Sequence, residues 1–458
     1  MNNLNLSRIN VRKLIRSMSG RDANVGLASS ATVAINIGAR GFRMFIQVVL
    51  ANWLGTAGYG QFSVLRGWAG LLASLPNRGY HLSFIRWLPG YRDNSDGASY
   101  RALIIQGTRA AISGSILLAI SVVVFRWAVG GSLTVSALAT GALLIANTLS
   151  TLFRQVLMAS YRHVLGVWLA DVVHPVMFGL VALVSALAFG RSVAAVIASL
   201  ALSTLFVALC EIYFVLRDLP PQESQNREEV DPNWRESIRP LFIGQLGVAA
   251  QDTVYVLIVG FILGPSAAGV YAVAHRLAML ARIGNSAVST IISPESGRLR
   301  DAEGGTVDEL QAVVDKGVKL SVIFTGLALL ALVAGSGIAV GLFGDDFEGA
   351  RVILFVLLIG NAASAISGPI GYLISMAGSE STWGYVMAGH SVAGSIIAVG
   401  AAYVFGSAVA VAAVASLTIV SWNIWLVVLG GKTLGVWSTP ASVRRRLQRS
   451  GTSSSHID

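Results

Sequence analysis

Long apolar stretches separated by short polar ones set the rhythm of this chain. Twelve of them, at about 27–51, 60–88, 103–125, 133–158, 164–189, 193–216, 240–263, 268–296, 317–342, 350–377, 382–404 and 407–429, run for about 20 residues or more. A stretch of that length crosses a hydrocarbon core of roughly 30 Å as an α-helix, which satisfies its own backbone polar groups. Strands of a membrane β-barrel are shorter and alternate apolar with polar residues, so a barrel is excluded. The pattern predicts an all-α polytopic membrane protein with about 12 transmembrane helices.

Composition agrees. The 458 residues are 54% apolar and only 12% charged, with 49 glycines and a mean hydropathy of +0.68, outside the range of soluble domains. One long polar break, "RDLPPQESQNREEVDPNWRESIRP" at 217–240, carries a Pro pair and mixed charge and reads as a linker. The expected organisation is a basic cytoplasmic segment (1–26), a six-helix lobe (27–216), a cytoplasmic linker (217–239), a second six-helix lobe (240–430) and a basic cytoplasmic tail (431–458). The opening residues scatter their basic side chains and lack a small-residue cleavage site, so they are expected to stay on the protein. Ile9, Leu14 and Ile15 among Arg8, Arg12, Lys13 and Arg16 suit either a helix lying on the inner membrane surface or a floppy basic tail.

The net charge of +10 matters through its placement. Outside the spans, 22 Lys and Arg fall on one side and only Arg126, Arg191 and Arg351 on the other. That asymmetry is the positive-inside pattern; it places both termini in the cytoplasm, as an even number of spans requires. No interleaved aromatic pattern suggests a nucleic-acid groove, so no nucleic-acid partner is expected. Cys210 is the only cysteine, which excludes an intramolecular disulfide and a cysteine metal site.

Sliding one half along the other exposes a repeat. At an offset of 209, "LGTAGYGQFSVLRGWAGLL" (54–72) overlies "LGPSAAGVYAVAHRLAMLA" (263–281) with six identities in 19, Gly60 over Gly269 among them. The same offset pairs Gly38 with Gly247 and Asn36 with Gln245. Because each half holds an even number of spans, the repeats are parallel, related by an axis along the membrane normal. Outer loops are all short, at about 52–59, 126–132, 190–192, 264–267, 343–349 and 405–406.

Charge inside the spans is unbalanced. Eight arginines lie there (Arg40, Arg43, Arg66, Arg78, Arg109, Arg154, Arg276 and Arg282) against four acids, Asp171, Glu211, Asp252 and Glu295. A charge near the bilayer centre costs from about 2.5 to more than 10 kcal/mol, so such groups face a cavity, a partner or the interface. On the first span Asn36, Arg40, Arg43 and Gln47 step by four, three and four, one face of a helix. Such a stripe suits a cavity wall, and a guanidinium fork matches phosphate oxygens bidentately. The candidate anion-binding set is Asn36, Arg40, Arg43, Gln47, Arg66, Arg78, Arg276 and Arg282; the alternative for Arg40 and Arg43 is an internal salt bridge to Asp171 or Asp252. Arg78 follows Pro76 and Asn77, where a helix break would open backbone groups to a cavity. Arg109 and Arg154 lie near span ends and are expected to reach for the surface. Candidate coupling or gating groups are Asp171 with His174 one turn on, Asp252, which the repeat sets over Arg43, and Glu295, set over Arg86. They would carry a coupling proton or sodium ion, against the plain alternative of a buried ion pair or a capped kink before Pro175. His275 and His390 are expected to be hydrogen-bonded packing residues, and no other cofactor is implied.

The stretch "LANWLGTAGYGQFSVLRGWAGLLASLPNRGYHLSFIRWLPGYRD" (50–93) resembles the N-terminal signature of the polysaccharide transporter and lipid-linked oligosaccharide flippase family: a Leu-Gly-x-x-x-Tyr-Gly turn, then a helix ending in an Arg-x-x-Pro-like segment. The resemblance recurs weakly at 240–300 and extends to the superfamily shared with the multidrug and toxin extruders. It implies a V-shaped pair of six-helix lobes that moves lipid-linked oligosaccharide from the inner to the outer leaflet by alternating access, alongside polysaccharide-assembly proteins as partners. Two extra spans found in some relatives are not seen. The family's polyprenyl-pyrophosphate cargo makes an arginine-lined cavity the expected counterpart of the diphosphate. Trp53, Tyr59, Trp68 and Tyr80 would stack on sugar rings or, alternatively, anchor span ends at the interface. A cation-coupled drug exporter of the same fold would want an acidic cavity. A membrane glycosyltransferase or polymerase would want a sizeable loop with carboxylates, and the only outer acidic cluster is Asp345, Asp346 and Glu348 in a short turn.

Overall fold

The structure, a computed structural model, describes residues 25–130, 134–160, 162–221, 234–301, 307–368, 370–371, 374 and 380–438, except for the side chains at 25–37, 129–130, 234–238, 240–241, 286–287, 289–301, 380–381 and 434. The described residues form helices joined by short turns, with no strand among them. Nine helices among them are long and apolar enough to cross a membrane. They match nine of the twelve expected spans; of the other three, 27–51 and 268–296 lie within helices, and 60–88 is helical on either side of a break at 74–79. The chain is an all-α, multi-pass membrane protein. It divides into two compact units, Met1–Leu50 with Leu72–Ile238 and Ala51–Leu71 with Arg239–Asp458.

Helix α1 (Val25–Ala73) consists of two helical segments that meet at a kink at Gly55, inside the expected outer loop at 52–59. Gly55 has φ 65° and ψ −178°, which belong to glycine's own region of backbone space. The break falls where it is expected, but it is confined to a tight kink and is not an eight-residue loop.

In the first unit, α1 gives way at 74–79 to an unwound turn, and α2 (Tyr80–Asp93) follows. The helix break expected around Pro76 and Asn77 is present. Proline cannot donate to the preceding turn, and the carbonyl of Ala73 is taken instead by the Thr148 hydroxyl at 3.1 Å and the Asn77 amide at 3.5 Å. Helices α3 (Gly97–Gly130) and α4 (Val135–Ala159) follow, the latter capped by Thr134, whose hydroxyl accepts from the Ala137 N–H at 3.3 Å. A fifth span runs unbroken from α5 (His163–Trp168) through one π-helical turn (Leu169–Val173) into α6 (His174–Phe189). Pro175 explains the widened turn: it lacks the N–H that would bond the carbonyl four residues back, and its ring crowds that carbonyl. Helix α7 (Val193–Arg217) packs along α4, and Phe84, Leu88, Leu103, Leu152, Leu157, Val207 and Val215 form the core between α2, α3, α4 and α7. Apolar residues on the outside, such as Leu187 at 81% and Phe189 at 80% exposure, suit lipid.

Replacing Thr148 by valine keeps the shape and removes the hydroxyl that caps the helix break. We expect thermal unfolding of the purified protein to show a loss of about 1 kcal/mol, the usual net worth of one hydrogen bond.

The second unit contains α8 (Trp234–Ile262), α9 (Pro265–Asp301), α10 (Val307–Ala334), the short α11 (Ser336–Gly341), a 3-10 turn (Asp345–Phe347), α12 (Ala350–Ser367), α13 (Glu380–Phe405) and α14 (Ala408–Leu434). The ninth span starts about ten residues earlier than its apolar run, because α10 begins at Val307 with Asp308 and Glu309 in its first turn, where carboxylates favour a helix N-terminus. Gln311 clamps that end onto the residues after α14, donating to the Trp437 carbonyl and accepting from the Trp437 N–H, both at 2.8 Å.

Residues 51–71 of α1 pack inside this unit through small residues. A Cβ on Gly60 would lie 1.8 Å from the Pro265 carbonyl oxygen, and one on Gly269 would lie 2.1 Å from the Thr56 carbonyl oxygen. Pro265 is the repeat equivalent of Thr56, as Gly269 is of Gly60. The two repeat-related helices therefore meet at their equivalent glycines, in a contact that is its own mirror under the offset of 209. Beside Gly60, the buried Tyr59 meets Phe62 and Phe347, the latter edge to face at 6.0 Å, and Phe347 in turn meets Phe343, while the Asn52 amide donates to the Leu342 carbonyl at 2.8 Å.

Candidate functional site

On α1 the helical repeat places Arg40, Arg43 and Gln47 along one face. Arg43 Nη1 meets Asp171 Oδ1 at 2.5 Å, with the two side chains 38% and 22% exposed. Asp171 stands within the π-helical turn, and the extra residue there re-aims the side chains around it. His174, one turn on, bonds through Nε2 to the Thr204 hydroxyl of α7 at 3.0 Å. Gln47 is buried and engaged. Arg40 is half-buried and has no hydrogen bond or ion pair with any described residue.

The second unit carries a charged pair of opposite sense. Asp252 on α8 accepts from Arg282 Nη1 on α9 at 2.6 Å. The pair edges a recess with about 480 Å³ of empty space, its open mouth included, which Gln251, Tyr255, His275, Asn361 and Trp422 also line. The Gln251 side chain is 95% buried and neither end of its amide has a hydrogen-bond partner. Asn361 is fixed by its bond to the Ala278 carbonyl at 2.8 Å. The recess thus presents an aromatic wall, a charged pair and an unspent amide, a polar pocket inside one unit.

The offset of 209 sets Asp252 over Arg43, so the repeat reverses the charge at this point of the first helix in each half. Both charges are answered inside their own unit, by Asp171 and by Arg282. Arg276 lies over the ring of the wholly buried Tyr59, 5.6 Å from its centroid, and the exposed Arg66 acts electrostatically on the same phenol. Arg78 is exposed in the unwound turn, at a φ of 43° that side chains other than glycine seldom adopt. The side chains of Asn36 and Glu295 lie outside the described residues.

Some expectations change. Tyr59 and Tyr80 are buried in packing, at 0% and 8% exposure, so neither offers a ring to cargo or to the interface in this structure. Trp68 remains exposed. His390 bonds the Val386 carbonyl at 2.8 Å, the hydrogen-bonded packing role expected of it, while His275 stacks on Tyr271 at 6.3 Å and lines the recess. Arg154 does not simply reach for the surface: it is half-buried and acts electrostatically on Glu211 and His81. Sequence reasoning missed that cluster because its members come from three helices with no shared spacing.

A family model described as polysaccharide biosynthesis protein matches residues 28–295. No curated protein matches the chain. Among solved structures, the inward-facing conformation of a multidrug resistance MATE family transporter of the MOP superfamily aligns with a TM-score of 0.62 at 15% identity, over 86% of this chain and 94% of that one. A MATE structure in complex with MaD5 aligns at 0.61 and 13% identity, over 92% and 98% of the two chains. A MOP superfamily transporter from Pyrococcus furiosus, described as having a binding pocket of reverse polarity that suggests a different function, aligns at 0.61 and 14% identity over 89% and 95%. These likenesses establish the fold, and the family match covers more than half of the sequence. The chain belongs to the polysaccharide biosynthesis protein family, and its fold is the one seen in those MATE and MOP superfamily structures.

Proposed function

We propose that this protein is a flippase that moves an anionic polyprenyl-pyrophosphate-linked oligosaccharide from the inner to the outer leaflet of the bacterial plasma membrane, supplying exopolysaccharide, capsule or O-antigen assembly. The observation that carries the reading is the arginine excess that survives internal pairing. Asp171 and Asp252 are taken by Arg43 and Arg282, and Arg40 stands on the same helix face as Arg43 with no partner among the described residues. An unpaired guanidinium within a span calls for an anion or water, and its planar fork fits a diphosphate. Arg66, Arg78 and Arg276 are the further candidates for the cargo's phosphates, with Asn36 and Gln47 beside Arg40 on α1. The membrane potential assists export, because an anion leaving a negative interior gains roughly 2.3 kcal/mol per charge per 100 mV. In this reading both termini are cytoplasmic, the lipid bilayer and polysaccharide-assembly proteins are the partners, and a proton or sodium ion is the candidate driving ion.

The second reading, a cation-coupled multidrug exporter, is favoured by the multidrug transporters among the structures that share the fold. A MOP transporter described as reversing its pocket's polarity supports letting pocket charge decide between the two. Deleting the gene should cause lipid-linked oligosaccharide to accumulate on the cytoplasmic leaflet. Restoring Arg40→Ala should recover little export, a loss of about 10- to 100-fold if one charge-assisted bond to the cargo is removed. Normal glycan export in the deletion strain, with no second flippase present, would sink the reading. Full complementation by Arg40→Ala would remove Arg40 from the site.

A further inference from the structure

The first unit holds a charged centre that the cargo site does not use. Glu211 on α7 is completely buried, and neither of its carboxylate oxygens has a hydrogen-bond partner in the usual geometry. The groups facing it are the Ser150 hydroxyl and the Arg154 guanidinium, one turn apart on α4. Arg154 also acts on His81, which opens α2 directly after the unwound turn. Arg154 and Glu211 do not close an ion pair, although α4 and α7 pack along their whole length. The remaining neighbours cannot help. The core that α4 and α7 share is apolar, Phe153 and Val207 among it, and the nearest polar groups of the fifth span in sequence, Asp171 and His174, are taken by Arg43 and Thr204. Cys210 adjoins Glu211 on its own helix.

Two arrangements of this centre are physically reasonable. With carboxyl and guanidinium apart, as seen here, a carboxylate buried in the bundle would have only the Ser150 hydroxyl facing it and no closed ion pair, and the acid form lowers that cost. With the two closed into an ion pair, the carboxylate is answered and the proton can leave. Asp171 and Asp252 lack this choice of state, since each is already closed on an arginine.

We propose that Glu211 is a proton-binding site of the first unit, its buried carboxylate taking up and releasing a proton, with Arg154 the charged group that tunes its affinity. The step is a plain protonation and needs no further reactant. Proton binding is thereby linked to the register of α4 against α7, the two helices at the centre of the unit. That this proton drives export rests on the flippase reading; the proton site does not.

The test is pH-difference infrared spectroscopy on the full-length protein in lipid vesicles. The wild type should show a protonated-carboxyl band that disappears as pH rises, and Glu211→Gln should lack it. Arg154→Gln, which leaves the carboxyl in place, should change the proton affinity of that group about tenfold or more. This second variant serves if Glu211→Gln fails to fold. The same band in Glu211→Gln as in wild type, or an unmoved midpoint in Arg154→Gln, would overturn the proposal. A second arm follows polyprenyl-pyrophosphate-linked oligosaccharide across the vesicle membrane under an imposed pH gradient, where Glu211→Gln should lose the response to the gradient. An intact proton titration with no cargo movement in the wild type would overturn the flippase reading alone.

Discussion

Gly60→Ala and Gly269→Ala should each destabilise the protein and stop transport, although alanine adds one methyl to a helix. The added carbon would sit 1.8 Å from a carbonyl oxygen at the first position and 2.1 Å at the second. Both obstacles are backbone atoms, so no side chain can rotate away, and the two helices must separate. Overpacking of this kind costs about 1–3 kcal/mol, and valine should cost more than alanine. Gly400→Ala is the control: it is helical, and nothing lies within 4 Å of the added carbon. It should be neutral or stabilising by up to about 1 kcal/mol, the gain from replacing glycine in a helix interior. Thermal unfolding of the purified proteins separates the cases, and equal melting behaviour of Gly60→Ala and Gly400→Ala would refute the close helix contact.

Arg43→Ala should be the costliest charge deletion on the first helix, because it strands Asp171 between helices. Removing one partner of a buried pair costs about 3–5 kcal/mol, and the partial exposure of both side chains places this one at or below the low end. Asp171→Asn alone should be nearly as harmful, while the double variant should recover part of the loss, with a coupling of about 1–3 kcal/mol. Arg40→Ala should leave the melting temperature unchanged while reducing export, since no described residue relies on Arg40. The pattern distinguishes a structural arginine from one that meets cargo. If the double variant is no better than the singles, the Arg43–Asp171 contact is not an energetic pair.

The membrane class, most of the spans, the glycine repeat and the arginine excess are all written in local composition. Apolar length alone dictates a membrane helix, since the hydrocarbon core leaves the backbone no other way to satisfy its polar groups. The break at Pro76–Asn77 and the distortion before Pro175 could be foreseen for the same reason: a missing N–H acts on its own turn. The break between the first two spans at 52–59 could be foreseen too, but not its tightness: it is confined to a kink at Gly55, and Gly60 beyond it packs closely on Pro265 and Gly269.

What only the tertiary structure decided is which charge answers which. The sequence offered Asp171 and Asp252 equally to Arg40 and Arg43, and the fold assigns Asp171 to Arg43 and Asp252 to Arg282. Nor does any spacing bring His81, Arg154 and Glu211 together, although α2, α4 and α7 do so. The physical reason is range. Helix formation and membrane insertion depend on residues within a few turns of one another, whereas an ion pair depends on the angle and register between helices far apart in the chain, which single-helix periodicity does not encode.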